Sequence, residues 1–600
     1  MNKNFKVNYL ARDFFSIRDE LKKYASRYYS NTMLDLSDAS INSFLIESAA
    51  YVGDVLSYYL DFQTNETFLT NAVDITNVNR LAKSLGYKRR DNASTYGRIM
   101  MFMLLPAKQN SNGPDFSKAP IIKKGSEFTT DSGIIFTSTE DVKINQNSVG
   151  NNYIISRTNA AGNPTYYAVK VSIPIVSGRL KTTRIEVGNF IKFNKIALED
   201  NSIAEVIRVT DSQNNEYYEV PTLVQNIVYR SVLNSDSDPL YILKPISAQR
   251  RFVFEKDETG TYLIFGGRQH RPDDDITADP VAEPTKFILN KYNNDYITDN
   301  IFDPNVLLNN DNYGLGPDNT TLSIYHRVNN SSTNDALLSE INKVSNLLYD
   351  FDSSVRISSH DIDSIINSIQ VVNEESIVGQ SDNPDINEIK DLAGQIFNSQ
   401  GRAVTAKDYE TLVYMMPSKY GFIKRVKAIR DPNSLKNNIN LYISCIDKNN
   451  MLAISNSKIK QNIKTWLLDY KIITDTVDIM DAKVINFGIE YTVRVDPAYS
   501  KSQVLDLIKQ HLRYYFSFKP QIGQSLSILD IFREIRKIDN VLDVVNIKVV
   551  NKVGDIYPGI YFNVKENTSS DGNFIKIPKN AIYEVRYLDE RTPDIIGIAL

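Results

Sequence analysis

The residues in this chain best placed for chemistry are Thr405 and Asp408, a hydroxyl and a carboxylate three positions apart, with Lys407 between them. A threonine attacks a substrate only when a base or a lowered pKa activates it. No histidine and no free terminal amine stands beside it in the sequence. In the S/T-x-x-D arrangement the same two residues open a helix, the hydroxyl accepting from the backbone N–H three residues on. Ser527 and Asp530 repeat the spacing. The other candidates are scattered. His270, His326, His360 and His511 lie far apart, and none falls in a catalytic frame. Asp273, Asp274 and Asp275 are hard oxygen ligands that suit a divalent cation, and equally a solvated acidic turn. The pairs Asp19/Glu20 and Glu374/Glu375 would serve glycoside hydrolysis only within ~10 Å of a partner carboxylate across a cleft. Gly314-Leu315-Gly316 lacks the third glycine of a dinucleotide fingerprint and reads as a turn. The sequence contains no phosphate-binding G-x-x-x-x-G-K-[ST] loop, no H-E-x-x-H, no cysteine pair and no G-x-S-x-G elbow. The expectation is a protein without catalytic residues, metal or cofactor.

Composition narrows the class further. With 600 residues the chain exceeds one hydrophobic core. Hydrophobic residues make up 42% and charged residues 23%, as in ordinary globular proteins. Net charge is −4, with 68 basic and 72 acidic residues and no domain-scale basic stripe, which argues against nucleic-acid binding. Lys88-Arg89-Arg90 reads as a solvated helix end. The single cysteine, Cys445, sits in the apolar run Leu441-Tyr442-Ile443-Ser444-Cys445-Ile446 and reads as a core thiol. With no partner for a disulfide, folding in a reducing cytoplasm is expected. The first residues lack the apolar segment of a signal peptide, and no run approaches ~18 apolar residues, so no membrane span is expected. The 35 tyrosines suit interfaces and β-domains alike.

The elements that must position these residues follow from periodicity. Asn8 to about Lys88 reads as helical. Its longest piece, Asp38 to Gln63, carries Ile41, Phe44, Leu45, Val52, Val55, Leu56 and Tyr59 at near-heptad spacing. A second stripe, Ala49, Gly53 and Ser57, is small enough for two helix backbones to approach. A third helix, Val73 to Leu85, stops at Gly86. Thr95 to Val328 reads as β-rich, with its clearest hairpin at Phe252–Glu255 and Tyr262–Phe265. Asn110–Gly113 and Asn145–Asn152 read as loops. Asn329-Asn330-Ser331-Ser332 reads as a hinge. Helices are expected at Asp335–Leu348 and His360–Ile369. A helix–helix–strand unit follows from Glu388 to Asp431. Leu392, Ile396 and Phe397 mark its first helix, and Tyr409, Leu412, Val413 and Met416 the buried face of its second. Helices at Ile454–Tyr470 and Ser500–Phe516 alternate with strands at Thr476–Val495 and Val541–Val550, and the helix-then-strand step recurs after Ser527. The expected fold is multidomain α+β: a helical region 1–92 whose surplus apolar faces suit a multi-chain bundle, with a compact three-helix bundle inside the subunit as the alternative, β-rich domains 93–330, a helical connector 331–384 and an α+β ring-forming or dimerisation region 385–600.

Several stretches also resemble one family. Arg402-Ala403-Val404-Thr405 with Asp408-Tyr409-Glu410 is similar to the core element of baseplate J-like proteins. Asn8-Tyr9-Leu10-Ala11-Arg12-Asp13-Phe14, Tyr51 to Leu60, and Asn65-Glu66-Thr67-Phe68-Leu69 resemble the opening of the T4-type baseplate wedge protein of contractile-tailed bacteriophages. Gly314 to Leu322, Tyr470 to Val477, and Ile582-Tyr583-Glu584-Val585-Arg586-Tyr587 (read as the last strand) fit the same family in the same order. The resemblance implies a structural protein of the virion tail, assembled in the host cytoplasm. Two copies would join a partner wedge protein in a heterotrimer through a bundle of helices. Here that bundle would use Ile41, Phe44, Leu45, Val52, Gly53, Val55, Leu56 and Tyr59. C-terminal regions of neighbouring wedges would close a ring around the hub, and the ring would relay the signal for sheath contraction to the sheath-initiating baseplate proteins. Arg402, Val404, Thr405, Asp408 and Tyr409 would be structural. The competing readings are a tail-associated host-binding adhesin and a cell-wall hydrolase.

Overall fold

The computed structural model describes residues 13–29, 37, 40–88, 93–108, 113–149, 152–160, 163–200, 202–225, 227–233, 241–257, 260–269, 313–329, 334–351, 357–379, 385–417, 420–431, 434, 437–447, 449–554, 557, 559–587 and 594–600. It is an α+β protein with helices first, β-sheets in the middle and mixed α/β structure toward the C-terminus. Its longer helices are α1 (Phe14–Tyr28), α2 (Ile41–Glu66), α3 (Ile75–Ser84), α4 (Ser359–Asn367), α5 (Ile386–Ser399), α6 (Ala406–Tyr414), α7 (Ser457–Leu468), α8 (Lys501–Ser517) and α9 (Ile528–Arg536). The chain falls into two compact units, one within Met1–Lys88 and Pro384–Gln400, the other within Arg89–Asn383 and Gly401–Leu600.

The first unit is helical. Asp13, Ser40 and Asp74 cap α1, α2 and α3, each side chain accepting from a backbone N–H at 3.1 Å. The Ser40 cap starts α2 at Ile41, and the helix continues to Glu66 rather than stopping at Gln63. The expected start at Asp38 lies outside the described residues. α1 lies against α2, and α3 against α5. Gly86, at φ 97°, adopts the left-handed backbone after α3 that glycine allows without strain.

α5 is where the sequence reading fails in this unit. Its buried face, Ile389, Ala393 and Ile396, meets α3, and Lys390 Nζ donates to the Thr70 carbonyl at 3.0 Å. It therefore belongs with the N-terminal helices, not with a C-terminal unit beginning at 385. Periodicity defined the apolar face without saying which neighbour it meets. Phe397, expected on that face, is exposed. The junction comes instead at Gln400 and Gly401, two consecutive left-handed residues (φ 50° and 71°) that end the helix.

The middle of the second unit holds two seven-stranded sheets. In the first, Tyr96–Pro106 pairs antiparallel with Pro164–Ser177, so Ile99, Met101, Met103 and Leu105 share a core with Val169, Val171, Ile173 and Ile175. Alternate residues of each strand point into this core. The second sheet contains the expected hairpin, with Phe252 opposite Phe265 and Lys256 opposite Thr261.

The helix expected at Asp335–Leu348 is not there. Ile341–Asn346 is an edge strand paired with Glu127–Thr130, and Tyr349–Asp350 is another strand. Register shifts between Ile341 and Lys343 and between Val344 and Asn346 break the two-residue period. Bulges of this kind make inward residues recur at three, which mimics a helix in sequence. α4 does form, capped by Ser358, whose hydroxyl accepts from Asp361 N at 3.1 Å. Gln370–Val372 then adds to the other edge of the first sheet. Among its described residues, segment 331–384 therefore holds three strands and one helix, and is not a helical connector. Asn329 of the expected hinge is buried, while Asn330, Ser331 and Ser332 lie outside the described residues. A single helical turn, Gln146–Val149, interrupts the loop expected at Asn145–Asn152.

Two four-stranded sheets follow toward the C-terminus. α6 and α7 cover one built on Arg425–Arg430 and Asn437–Ile446, and this core takes in Tyr96, Val176 and Val378 from the middle region. The second centres on Lys483–Val495, paired antiparallel with Val541–Asn551 and covered by Val504, Ile508, Leu512 and Phe516 of α8 and Ile531 and Ile535 of α9. The step from α6 into Arg425–Arg430 recurs from α9 into Val541–Asn551. Residues expected to form the last strand give Ala581–Glu584. Ile595–Ala599 follows and occupies the remaining length of the same edge of Lys483–Val495.

Candidate functional site

α2 turns its small face inward and its large apolar face outward. At about 100° per residue, Ser43, Ile46, Ala50 and Gly53 fall on one side. Ser43, Ile46 and Ala50 are buried. A Cβ added at Gly53 would stand 3.3 Å from Ile17 Cδ1, so the missing side chain lets α1 approach. Of the small stripe, Gly53 meets α1, Ser57 is half-buried and Ala49 is exposed.

The opposite face carries the sequence candidates other than Gly53, which lies on the inward side against α1. Ile41, Phe44, Leu45, Val52, Leu56 and Tyr59 are exposed, Ile41 to 79%, and Gly53 and Val55 are half-buried. Tyr51, Tyr58, Leu60 and Phe62 are also exposed and widen the ribbon. Sequence reading missed these four because a near-heptad template selects a narrow seam, whereas the apolar arc here extends to its flanks.

Glu66 holds the end of this helix. Its carboxylate accepts from Val73 N at 2.8 Å, Asp74 N at 3.3 Å and Asn77 Nδ2 at 3.0 Å, tying α2 to the start of α3. Those donors, the Val73 N–H foremost, hold its carboxyl below the ordinary value.

The Thr405 motif forms a closed capping box. Thr405 Oγ1 accepts from Asp408 N at 3.2 Å, and Asp408 Oδ2 accepts from Thr405 N at 2.8 Å and Val404 N at 3.1 Å. Lys407 turns to Glu410, 2.8 Å away, rather than to the hydroxyl. The buried Tyr409 hydroxyl donates to Asp475 Oδ2 at 2.8 Å, and burial followed by that carboxylate pushes it well above the ordinary phenol value. Glu410, also buried, accepts from Ala428 N at 3.1 Å and pairs with Lys427. Arg402 and Val404 are exposed. The arrangement locks a helix start onto a sheet and leaves no activated nucleophile.

The remaining candidates do not converge. His326 is buried beside the Ile324 carbonyl, His511 lies 2.8 Å from Glu534, and His360 is exposed on α4. Glu374 pairs with Lys170, and Glu375 accepts from Ser457 N at 3.1 Å. Burial pushes the Cys445 thiol up to about 12, which makes it inert. His270 and Asp273–Asp275 lie outside the described residues. Among the described residues no three His, Cys, Asp or Glu side chains form a group that could hold a metal ion, and no helix is long and apolar enough to cross a membrane.

No family model matches the chain, and no curated protein matches it in sequence. The solved structures similar to it include two from baseplates. One is the anti-feeding prophage baseplate, seen by cryo-electron microscopy with six-fold symmetrisation, at 10% identity and a TM-score of 0.26 over 94% of this chain and 90% of that one. The other is the TssK-TssF-TssG baseplate subcomplex of the type VI secretion system, at 8% identity and a TM-score of 0.23 over 73% of this chain and 96% of that one.

Proposed function

We propose that this chain is a structural assembly subunit, and that the assembly is the baseplate of a contractile tail. The observation that carries the first part is α2, a 26-residue helix that buries Ser43, Ile46 and Ala50 and leaves most of its large apolar side chains in water. An exposed apolar face of this kind marks a surface that another chain covers. The second part rests on the motifs that resemble the wedge family in order along the chain. On this reading the first unit joins a partner wedge protein and a second copy in a heterotrimer. The C-terminal sheets meet neighbouring wedges in a ring around the hub and pass on the signal for sheath contraction.

The test is substitution on the open face. Val52 and Leu56 are 55% and 56% exposed, so aspartate at both leaves the isolated fold intact. The double variant is expected to match the native chain in circular dichroism and melting temperature, yet to be absent from assembled tails. Density for the native chain should appear at the base of the tail tube in imaged particles. Normal incorporation of the Val52→Asp/Leu56→Asp variant, or density elsewhere, would end this reading.

A further inference from the structure

The charge on α2 is as lopsided as its apolarity. From Ile41 to Glu66 it carries Glu47, Asp54, Asp61 and Glu66 and no lysine or arginine. Glu47 and Asp54 stand two turns apart on one flank of the apolar ribbon, next to Phe44, Tyr51 and Tyr58 at i+3 and i+4 spacing. Both are half-buried, and among the described residues neither makes a hydrogen bond or an ion pair.

We propose that the occupant of this face is a helix of a different chain, with an apolar ribbon flanked by lysine or arginine at seven-residue spacing. The proposal rests on the assembly reading above and names the chemistry of the partner. In heptad terms Ile41, Ser48, Val55 and Phe62 lie at a, Phe44, Tyr51 and Tyr58 at d, Leu45, Val52 and Tyr59 at e, and Glu47 and Asp54 at g. Two copies of α2 paired antiparallel would set g against g, carboxylate against carboxylate. Paired in parallel they would set the carboxylates against Leu45, Val52 and Tyr59, covering charge with apolar surface. Either self-pairing costs energy that a basic flank turns into attraction. An anionic lipid surface is disfavoured for the same reason, because helices that lie on membranes carry lysine and arginine.

The full chain is titrated with two fluorescent helical peptides that share one leucine and isoleucine ribbon. One has lysine at the flanking positions, the other glutamate. The lysine peptide is expected to bind about tenfold more tightly at low salt, the scale of two exposed ion pairs switched from attraction to repulsion. The gap should narrow in 1 M salt. It should close in the Glu47→Gln/Asp54→Asn variant and invert in the Glu47→Lys/Asp54→Lys variant. Any self-association of the chain should be unchanged by Val52→Asp. Equal binding of both peptides would overturn the charge selection while leaving α2 as the docking face. Binding of neither would overturn α2 as a helix-docking face. Self-association abolished by Val52→Asp would make a second copy the occupant. Placement of the chain in tail particles is read separately by imaging, so failure of the tail reading and failure of the charge selection are distinguishable.

Discussion

Thr405 and Asp408 satisfy three backbone N–H groups between them with two side-chain groups. Removing the threonine hydroxyl leaves the Asp408 amide without its acceptor. Thr405→Ala is expected to cost about 1 kcal/mol of stability, and Thr405→Ser to be nearly neutral. Chemical denaturation of the two variants checks this; a catalytic or contact role would abolish assembly without moving the transition. Glu66 gives a pH dependence. Its folded pKa lies below the ordinary 4.5, so the tie between α2 and α3 is fully present above that value and is lost as pH falls through the depressed folded pKa. The protection factors of the Val73 and Asp74 amides, taken relative to their intrinsic exchange at each pH, should therefore fall in acid, and in Glu66→Ala they should be low at neutral pH. A Val73 amide equally protected in the variant and the native chain at pH 7 would contradict this. The Thr405 box was legible because every partner lies within four residues. Glu66 was not, because its donors lie seven and more residues ahead, and their approach depends on how the Thr67–Asp74 turn folds.

At the scale of elements, the α1–α2 pair depends on the absent side chain at Gly53. Alanine there gains helix propensity of up to about 1 kcal/mol. Its Cβ at 3.3 Å from Ile17 offsets part of this, so Gly53→Ala should be close to neutral. Leucine cannot fit without driving α1 away, and Gly53→Leu should cost about 1–3 kcal/mol, measured as a lowered thermal transition. Helices such as α2, α6 and α9 were legible because hydroxyl caps and apolar periodicity agree within each segment. The strand Ile341–Asn346 was misread because its bulges bring Ile341 and Val344 inward three residues apart. The partner of α5 was not legible at all, since α3 lies some three hundred residues earlier and nothing local to Ile389, Ala393 or Ile396 names it.

At the scale of the whole second unit, a buried ion pair joins the two C-terminal sheets. Lys519 Nζ stands 2.8 Å from Glu584 Oε1, which also accepts from Leu452 N at 2.8 Å, while the Lys519 carbonyl accepts from Arg425 Nη2 at 2.6 Å. Lys519 is 6% exposed and Glu584 is fully buried. Glu584→Ala leaves a buried ammonium without its carboxylate and is expected to cost about 3–5 kcal/mol. The double change Lys519→Met/Glu584→Leu should cost less than the single one, because no charge is left stranded. A double-mutant cycle by denaturation checks both, and equal losses would argue against a coupled pair. Nothing local marks this link: Lys519 and Glu584 sit in unrelated segments, and only the packed sheets bring them together.

The first unit is assembled from the two ends of a long interval, since α3 is made before residue 88 and its partner α5 only after residue 384. During synthesis Val78 and Ala82 wait while some three hundred residues leave the ribosome, roughly 15–60 s at rates of about 5–20 residues per second. Throughout that interval α3 shows the Val78 and Ala82 face that α5 later meets, beside the open face of α2. The finished α2 face therefore inherits a hazard that begins earlier: premature pairing between neighbouring nascent chains on one message. On the proposal of a basic partner helix, the acidic flank of α2 answers that hazard by disfavouring its own copies until the partner arrives.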